Sequence, residues 1–273
     1  MPLLKERAFY MNRDKIKSVL LEAAMEAGAL MKSKISSRGG FSEKSEISIV
    51  TETDLACEKL ILSKILGTFP THSILSEESP AKEGSHHRWI IDPIDGTTNF
   101  AHTFPASCVS IGYEEEGEPV MGAIYDPFRD EMFFAAKGAG AFLNGKRIFV
   151  SQVKTLSHSL LATGFPYDRK EKADIYLAMI KTFLLLTHDI RRVGAAALDL
   201  CYVACGRFDG YWEANIEAWD KAAGRLLVTE AGGRVSDYSG TPMTLAGRQN
   251  LATNGLIHDA MLKELEPFKN LSK

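Results

Sequence analysis

The chain has 273 residues, 45% of them hydrophobic and 25% charged, with a formal net charge of −3. That length holds one large domain or two fused subdomains around a sizeable core. The charge removes any global case for a nucleic-acid or anionic-membrane partner, and no long uncharged apolar span or leader is read, so a cytoplasmic enzyme is expected.

Residues 1–11 mix Lys5, Glu6 and Arg7 with scattered apolar positions and are expected as a loose, flexible extension. Ile16, Val19, Leu20, Ala23, Ala27, Leu30 and Met31 recur at helical spacing and predict a helix over Asn12–Ser36. A flexible loop follows over Ser37–Ser45, then a short strand over Ile47–Thr51 and an amphipathic helix near Asp54–Leu66. His72–Leu75 predicts a strand that ends at Ser76-Glu77-Glu78-Ser79, and Pro80–His87 reads as a polar, mobile segment. Strands are predicted over Cys108–Tyr113, Pro119–Tyr125, Glu131–Ala136 and Gly138–Phe142. From there the types alternate: strand Leu160–Thr163, helix Lys170–Leu186, strand Ile190–Val193, a helix from Ala195, strand Phe208–Glu213, and helix Trp219–Ala231 closed by Gly232-Gly233. Strands at Arg234–Asp237 and Leu251–Thr253 and a helix from Leu256 complete the chain. Early strands followed by alternation imply a layered α/β chain of two subdomains with no clear linker.

The segment Trp89-Ile90-Ile91-Asp92-Pro93-Ile94-Asp95-Gly96-Thr97-Thr98-Asn99-Phe100 carries the most chemistry. Three apolar residues lead into a carboxylate, as a buried strand does on reaching the surface, and a second carboxylate follows on the same bend. Two hard oxygen ligands so placed suit Mg²⁺, which keeps room for water and phosphate. Gly96, Thr97 and Thr98 open a short helix whose first N–H groups form an anion site. Together they point to metal-assisted phosphoryl chemistry. Asp-Pro and Asp-Gly are also ordinary turn formers, so this spacing alone equally describes a strand-ending turn.

Other oxygen ligands have competing readings of their own. Glu77 and Glu78 end a predicted strand, where a carboxylate enters a cleft or simply meets solvent. Asp220 and Asp54 each stand at a predicted helix start, where capping explains them without any metal. Cys201 and Cys205 share a helical face at a spacing that fits neither a zinc ribbon nor a thioredoxin motif, and they read as buried reduced thiols.

Four blocks in order resemble the inositol monophosphatase family of Mg²⁺-dependent, lithium-sensitive phosphatases. They are Val50-Thr51-Glu52-Thr53-Asp54; Glu77-Glu78-Ser79; Trp89 through Phe100, with His102 and Phe104-Pro105; and Trp219-Asp220 through Glu230-Ala231-Gly232-Gly233. The third is the family's signature. The resemblance implies an α/β (α+β) layered α/β/α/β/α sandwich, a fold shared with fructose bisphosphatases. It divides residues 12–273 into an α+β half (12–150) and an α/β half (151–273) with the active site between them.

The resemblance also implies roles. Glu77, Asp92, the Ile94 carbonyl, Asp95 and Asp220 match metal ligands, Asp92 being shared by two ions. Gly96 and Thr97 match the phosphate-binding N–H donors, and Asp54 and Thr97 the pair that orients the attacking water near Glu77. Asp95, Ala196, Glu213 and Asp220 match contacts to substrate hydroxyls. The implied reaction is direct hydrolysis of inositol monophosphate by a metal-activated water, with no covalent nucleophile. Relatives run the same chemistry on fructose bisphosphate, phosphoadenosine phosphate or histidinol phosphate, and some bacterial members also partner the transcription machinery. A homodimer is expected. Ser48 stands where the family commonly has an acid, Lys44 is a candidate for an upstream basic residue, and Lys221 is expected to face solvent.

Overall fold

Ile16, Leu20, Ala23, Ala27 and Met31 are all fully buried along one stripe of α1 (Pro2–Lys34). The computed structural model of the chain describes residues 2–35, 41–43 and 49–271. The helix starts at Pro2 rather than Asn12, because Leu, Lys, Glu, Arg and Ala between them are strong helix formers with no breaker among them. Two short strands, β1 (Phe41–Glu43) and β2 (Ile49–Thr51), pair antiparallel before α2 (Glu52–Thr68). β1 lies in the segment expected as loop; the rest of that loop, with Lys44, lies outside the described residues, as does Ser48 in the expected strand that follows.

A seven-stranded sheet follows in sequence order: β3 (Ser73–Ser76), β4 (His87–Asp95), β5 (Cys108–Glu115), β6 (Glu118–Asp126), β7 (Glu131–Ala136), β8 (Gly140–Leu143) and β9 (Lys146–Ile148). Only β3 and β4 run parallel. The short helix α3 (Thr97–Ala101) interrupts it after β4. The five-stranded sheet comes from β10 (Leu160–Thr163), β11 (Asp189–Arg191), β12 (Gly210–Ala214), β13 (Arg234–Ser236) and β14 (Gln249–Thr253), in the spatial order β11-β10-β12-β14-β13. Its helices are α4 (Arg169–Leu184), α5 (Ala196–Ala204), α6 (Ala218–Glu230) and α7 (His258–Leu265).

The layers follow from what each helix buries. α1 and α2 bury Leu20 and Ile61 against Trp89, Ile111 and Phe134 of the first sheet. α5 and α6 lie between the sheets, where Leu198, Cys201 and Leu227 meet Ile124 and Phe133 on one side and Tyr211 and Ala252 on the other. α4 and α7 cover the outer face of the second sheet with Met179, Phe183, Met261 and Leu265 over Trp212 and Leu251. The result is the expected α/β/α/β/α sandwich, each large apolar side chain contributing about 1.5–3 kcal/mol on burial. α6 sits unusually close on β5 and β6: a Cβ on Gly122 would come 2.8 Å from the Ala223 Cα. That approach lowers the first turn of α6, and Asp220 with it, toward β4.

Two local expectations change. β4 does not end at Asp92 but continues to Asp95 through a shift of register, Asp92 pairing with Ser110 and Asp95 with Cys108. Pro93 has no N–H for the ladder, so the strand bulges around it and continues. The polar stretch from Pro80 to His87 is stitched to β3, with Ile74 and Lys82 exchanging two 2.9 Å backbone hydrogen bonds.

Candidate active site

Asp92 and Asp95 come from the bulged end of β4 and Asp220 from the first turn of α6, and one ligand oxygen of each lies within 4.8 Å of the others. They line a cleft of about 240 Å³ together with Glu77, Ile94, Gly96, Thr97, Ala196 and Glu213. Glu78 does not line it, whereas every residue to which the resemblance gives a role does except Asp54, which is buried behind Thr97. Thr97 Oγ1 connects it, lying 3.1 Å from Asp54 Oδ1 and 3.0 Å from the Ile94 carbonyl oxygen.

The capping readings of Asp54 and Asp220 hold as well. Asp54 is the third residue of α2 and accepts from the Thr51 N–H at 2.8 Å and from the Thr51 hydroxyl, while the Thr51 Oγ1 accepts from the Asp54 N–H. Asp220 does the same for α6, accepting from the Glu217 N–H at 2.6 Å. These reciprocal boxes lock each carboxylate on its helix terminus. Asp95 is held differently: the N–H groups of Ala196 and Ala197, at the start of α5, donate to it at 3.2 and 2.7 Å. Gly96 turns the chain with φ 86°, and a Cβ there would lie 2.9 Å from the Ala106 carbonyl oxygen, so only glycine fits.

The site is short of positive charge. Burial pushes Asp92 well above the usual carboxylate range, and the charges of Glu77, Asp95, Asp220 and Asp54 push it further. Asp220 rises well above that range for the same reasons, burial first and then Asp95. Burial lifts Asp95 to about 6, against the pull of the Ala197 and Ala196 N–H groups. Asp54 is raised by burial too, against the bonds from Thr51 and Thr97. Three hard oxygen donors, converging and mutually repelling, can hold a metal ion, whose charge would reverse this penalty.

Lys221 does not supply that charge. Contrary to expectation it is fully buried, its Nζ donating to the Gly247 carbonyl. Its four-carbon stem fills the α6 interface, which the position next to Asp220 did not announce. His102 stands at the C-terminal end of α3, outside the cleft lining. Cys201 is a buried free thiol and Cys205 a half-buried one, as the helical run predicts.

Sequence reasoning passed over three groups. Asn99, inside the signature, donates from Nδ2 to the Ala106 and Val193 carbonyls at 2.7 and 2.9 Å, tying α3 to the turn before α5. An amide beside a tight turn was the available signal. Arg192 lies over the Phe165 ring at 5.4 Å on the cleft wall, and Asn215, at φ 55°, bonds Asp168 from the turn after β12. No periodicity or spacing marks either.

The family model described as the inositol monophosphatase family matches residues 12–269. An inositol-1-monophosphatase of Synechocystis is 45% identical over 90% of this chain and 87% of its own length. The Nus factor SuhB of Pseudomonas aeruginosa is 42% identical over 92% of this chain and 95% of its own. Among solved structures, an inositol monophosphatase from Anabaena superposes with a TM-score of 0.85 at 46% identity, covering 94% of this chain and 97% of that one. Such coverage makes the chain a member of the inositol monophosphatase family and a phosphoric monoester hydrolase.

Proposed function

We propose that the chain is a Mg²⁺-dependent phosphomonoesterase that hydrolyses inositol monophosphate to inositol and phosphate. The observation that carries this is the convergence of Asp92, Asp95 and Asp220 beside the Gly96–Thr97 turn in one cleft. The seam between the 12–150 and 151–273 halves is then the working site, because β4 supplies two carboxylates and α6 the third.

Mg²⁺ bound to these carboxylates, Glu77 and the Ile94 carbonyl would supply charge neutralisation, phosphoryl polarisation and an acidified water. The chain's own residues do the rest. The N–H groups of Gly96 and Thr97, which have no acceptor within α3, hold phosphate oxygens. Thr97 Oγ1 orients the attacking water and passes its proton to Asp54 Oδ1, 3.1 Å away. Asp54 can accept it because burial raises its affinity for a proton. On the opposite wall Glu213, Ala196 and the outer edges of Asp95 and Asp220 meet the hydroxyls of the polyol. Lithium, entering a site built for a small hard cation, is expected to inhibit.

Phosphate release from inositol monophosphate, fructose bisphosphate, phosphoadenosine phosphate and histidinol phosphate, with and without EDTA, tests the reading. Preference for inositol monophosphate, lost in EDTA and in Asp95→Asn, supports it; preference for another compound keeps the mechanism and moves the substrate.

The setting and assembly follow from the same reading. Phe104, Leu177, Leu184 and Leu185 are exposed apolar side chains, Leu185 at 76%, and a homodimer would cover part of such a surface. Light scattering of the purified protein reports it. Among the described residues no helix is long and apolar enough to cross a membrane, and the four thiols, all free, suit a reducing cytoplasm. A second reading, partnership with the transcription machinery in addition to catalysis, rests on the relative named Nus factor SuhB. Asp95→Asn separates the two: a transcriptional effect that survives loss of turnover belongs to binding.

A further inference from the structure

Glu213 is a cleft carboxylate outside the metal cluster, and two features hold it. Its neighbour at i−2 on β12, Tyr211, is fully buried and donates its hydroxyl to Glu213 Oε2. Residues i and i+2 of a strand share a face, so this bond needs no loop to form and is set by the pleat. Just past the end of the adjacent strand β10, Gly164 lies under the Glu213 carboxylate, so that any Cβ there would overlap both carboxylate oxygens and the carbon between them. A carboxyl group on a three-torsion side chain is thereby held to one position, with Oε2 committed to Tyr211 and Oε1 left toward the cleft.

We propose that Tyr211 and Gly164 form a clamp that presents Glu213 Oε1 to the substrate's hydroxyl groups, and so set selectivity for polyol phosphates. Tyr211 is a positioning residue here: it touches Glu213 and not the substrate. The inference rests on the reading of Glu213 as the hydroxyl acceptor given above. Its physical basis is preorganisation, since a carboxylate fixed before binding gives up little rotamer freedom when the polyol arrives. Unclamped, Glu213 could still reach the ligand, at the cost of ordering a mobile side chain first.

The test compares two substrates on the Mg²⁺-loaded enzyme: inositol 1-phosphate, and p-nitrophenyl phosphate, whose leaving group has no aliphatic hydroxyl. The readout is the ratio of their kcat/KM values. Tyr211→Phe is expected to lower that ratio about tenfold, through KM for the polyol phosphate with kcat little changed, as loss of a hydrogen bond to a charged group does. Gly164→Ala displaces the carboxylate from the other side and is expected to lower the ratio similarly, so the inference survives if one variant folds poorly. Glu213→Gln gives the reference loss, and adding Tyr211→Phe to it is expected to change nothing further, because the clamp acts only through Glu213. A Tyr211→Phe enzyme with an unchanged ratio, or one that loses both substrates equally, would overturn the clamp. A wild-type enzyme with no preference for the polyol phosphate would overturn the reading of Glu213 and the clamp with it.

Discussion

Asp54 and Thr97 are 43 residues apart in the chain and 3.1 Å apart in the fold, joined through Thr97 Oγ1. Asp54 sits at the start of α2 and Thr97 at the start of α3, so the bond ties a helix on one side of the first sheet to the turn that faces the cleft. The Thr97→Val variant isolates this link, because it removes the hydroxyl and leaves the Thr51–Asp54 cap intact. Its kcat is expected to fall by about 10²–10⁴, the usual worth of a placed proton acceptor. Stability should fall by only about 1 kcal/mol, for one buried hydrogen bond. Steady-state rates and thermal unfolding measured on one preparation decide the matter, and an unchanged kcat removes Thr97 from the proton path.

The repulsion around Asp92 predicts that activity and stability part company. Asp92→Asn removes one buried charge from a crowd of four other carboxylates that raise its proton affinity. In EDTA the variant is expected to be more stable than wild type by about 1–3 kcal/mol, and so to unfold at a higher temperature. In Mg²⁺ the order should reverse, because only the wild type gains the full binding term. Turnover should drop by several powers of ten, since the lost oxygen is central to the cluster. A wild type that outlasts the variant in EDTA would mean that hydrogen bonds such as that from the Ile94 N–H, at 3.0 Å, already offset the burial.

How much of this was legible depends on whether a residue acts through a local pattern. The stripe of α1, the carboxylates of the signature and the helix start at Asp220 are contiguous or periodic, and the sequence displays them. Gly164 and Arg192 act through side chains distant in sequence, on which spacing is silent, and Tyr211 acts on its own strand, where an i, i+2 pair on one face does not say that the hydroxyl meets Glu213. The bulge at Pro93 was hidden for another reason: apolar residues ending in Asp92 describe a strand that stops as well as one that bends. Lys221 shows the same ambiguity in a side chain, since a lysine after a helix start faces solvent or buries its stem according to what packs on it. Here α6 is pressed onto β5 and β6 at Gly112 and Gly122, and Lys221 is left fully buried.

Asn99 makes a claim about order rather than size. Its Nδ2 meets the carbonyl oxygens of Ala106, Val193 and Gly194, the last at 3.3 Å. Asn99→Ala leaves these acceptors without a donor and is expected to cost about 1–3 kcal/mol. Asn99→Asp, closer in shape, should cost more, because it turns a carboxylate toward three carbonyl oxygens. Urea unfolding midpoints for both variants test this, and a milder effect for Asp than for Ala would show that the tie works by packing alone.

Two buried groups bend the pH dependence of stability in opposite directions. His258 lies between the hydroxyls of Ser236 and Thr253, each 2.9 Å from a ring nitrogen, and burial lowers it to about 4. The unfolded chain takes up this proton near the ordinary histidine value of about 6.5. Between about 6.5 and 4 the unfolded state therefore binds more protons, and stability present at neutral pH is lost as pH falls through that window. Asp199 works the other way. Burial, then the charges of Glu213 and Asp95, hold it well above the carboxylate range, and its Oδ1 has no hydrogen-bond partner. Its contribution is complete below the unfolded aspartate value and is lost as pH rises through the folded one. His258→Gln should thus flatten the decline between pH 6.5 and 4.5, and Asp199→Asn should raise stability at pH 8 while adding little at pH 4. Unfolding free energies across that range are the measurement. An Asp199→Asn gain that is equal at both ends would mean that this side chain stays neutral throughout, and that its cost is the unpartnered oxygen rather than the charge.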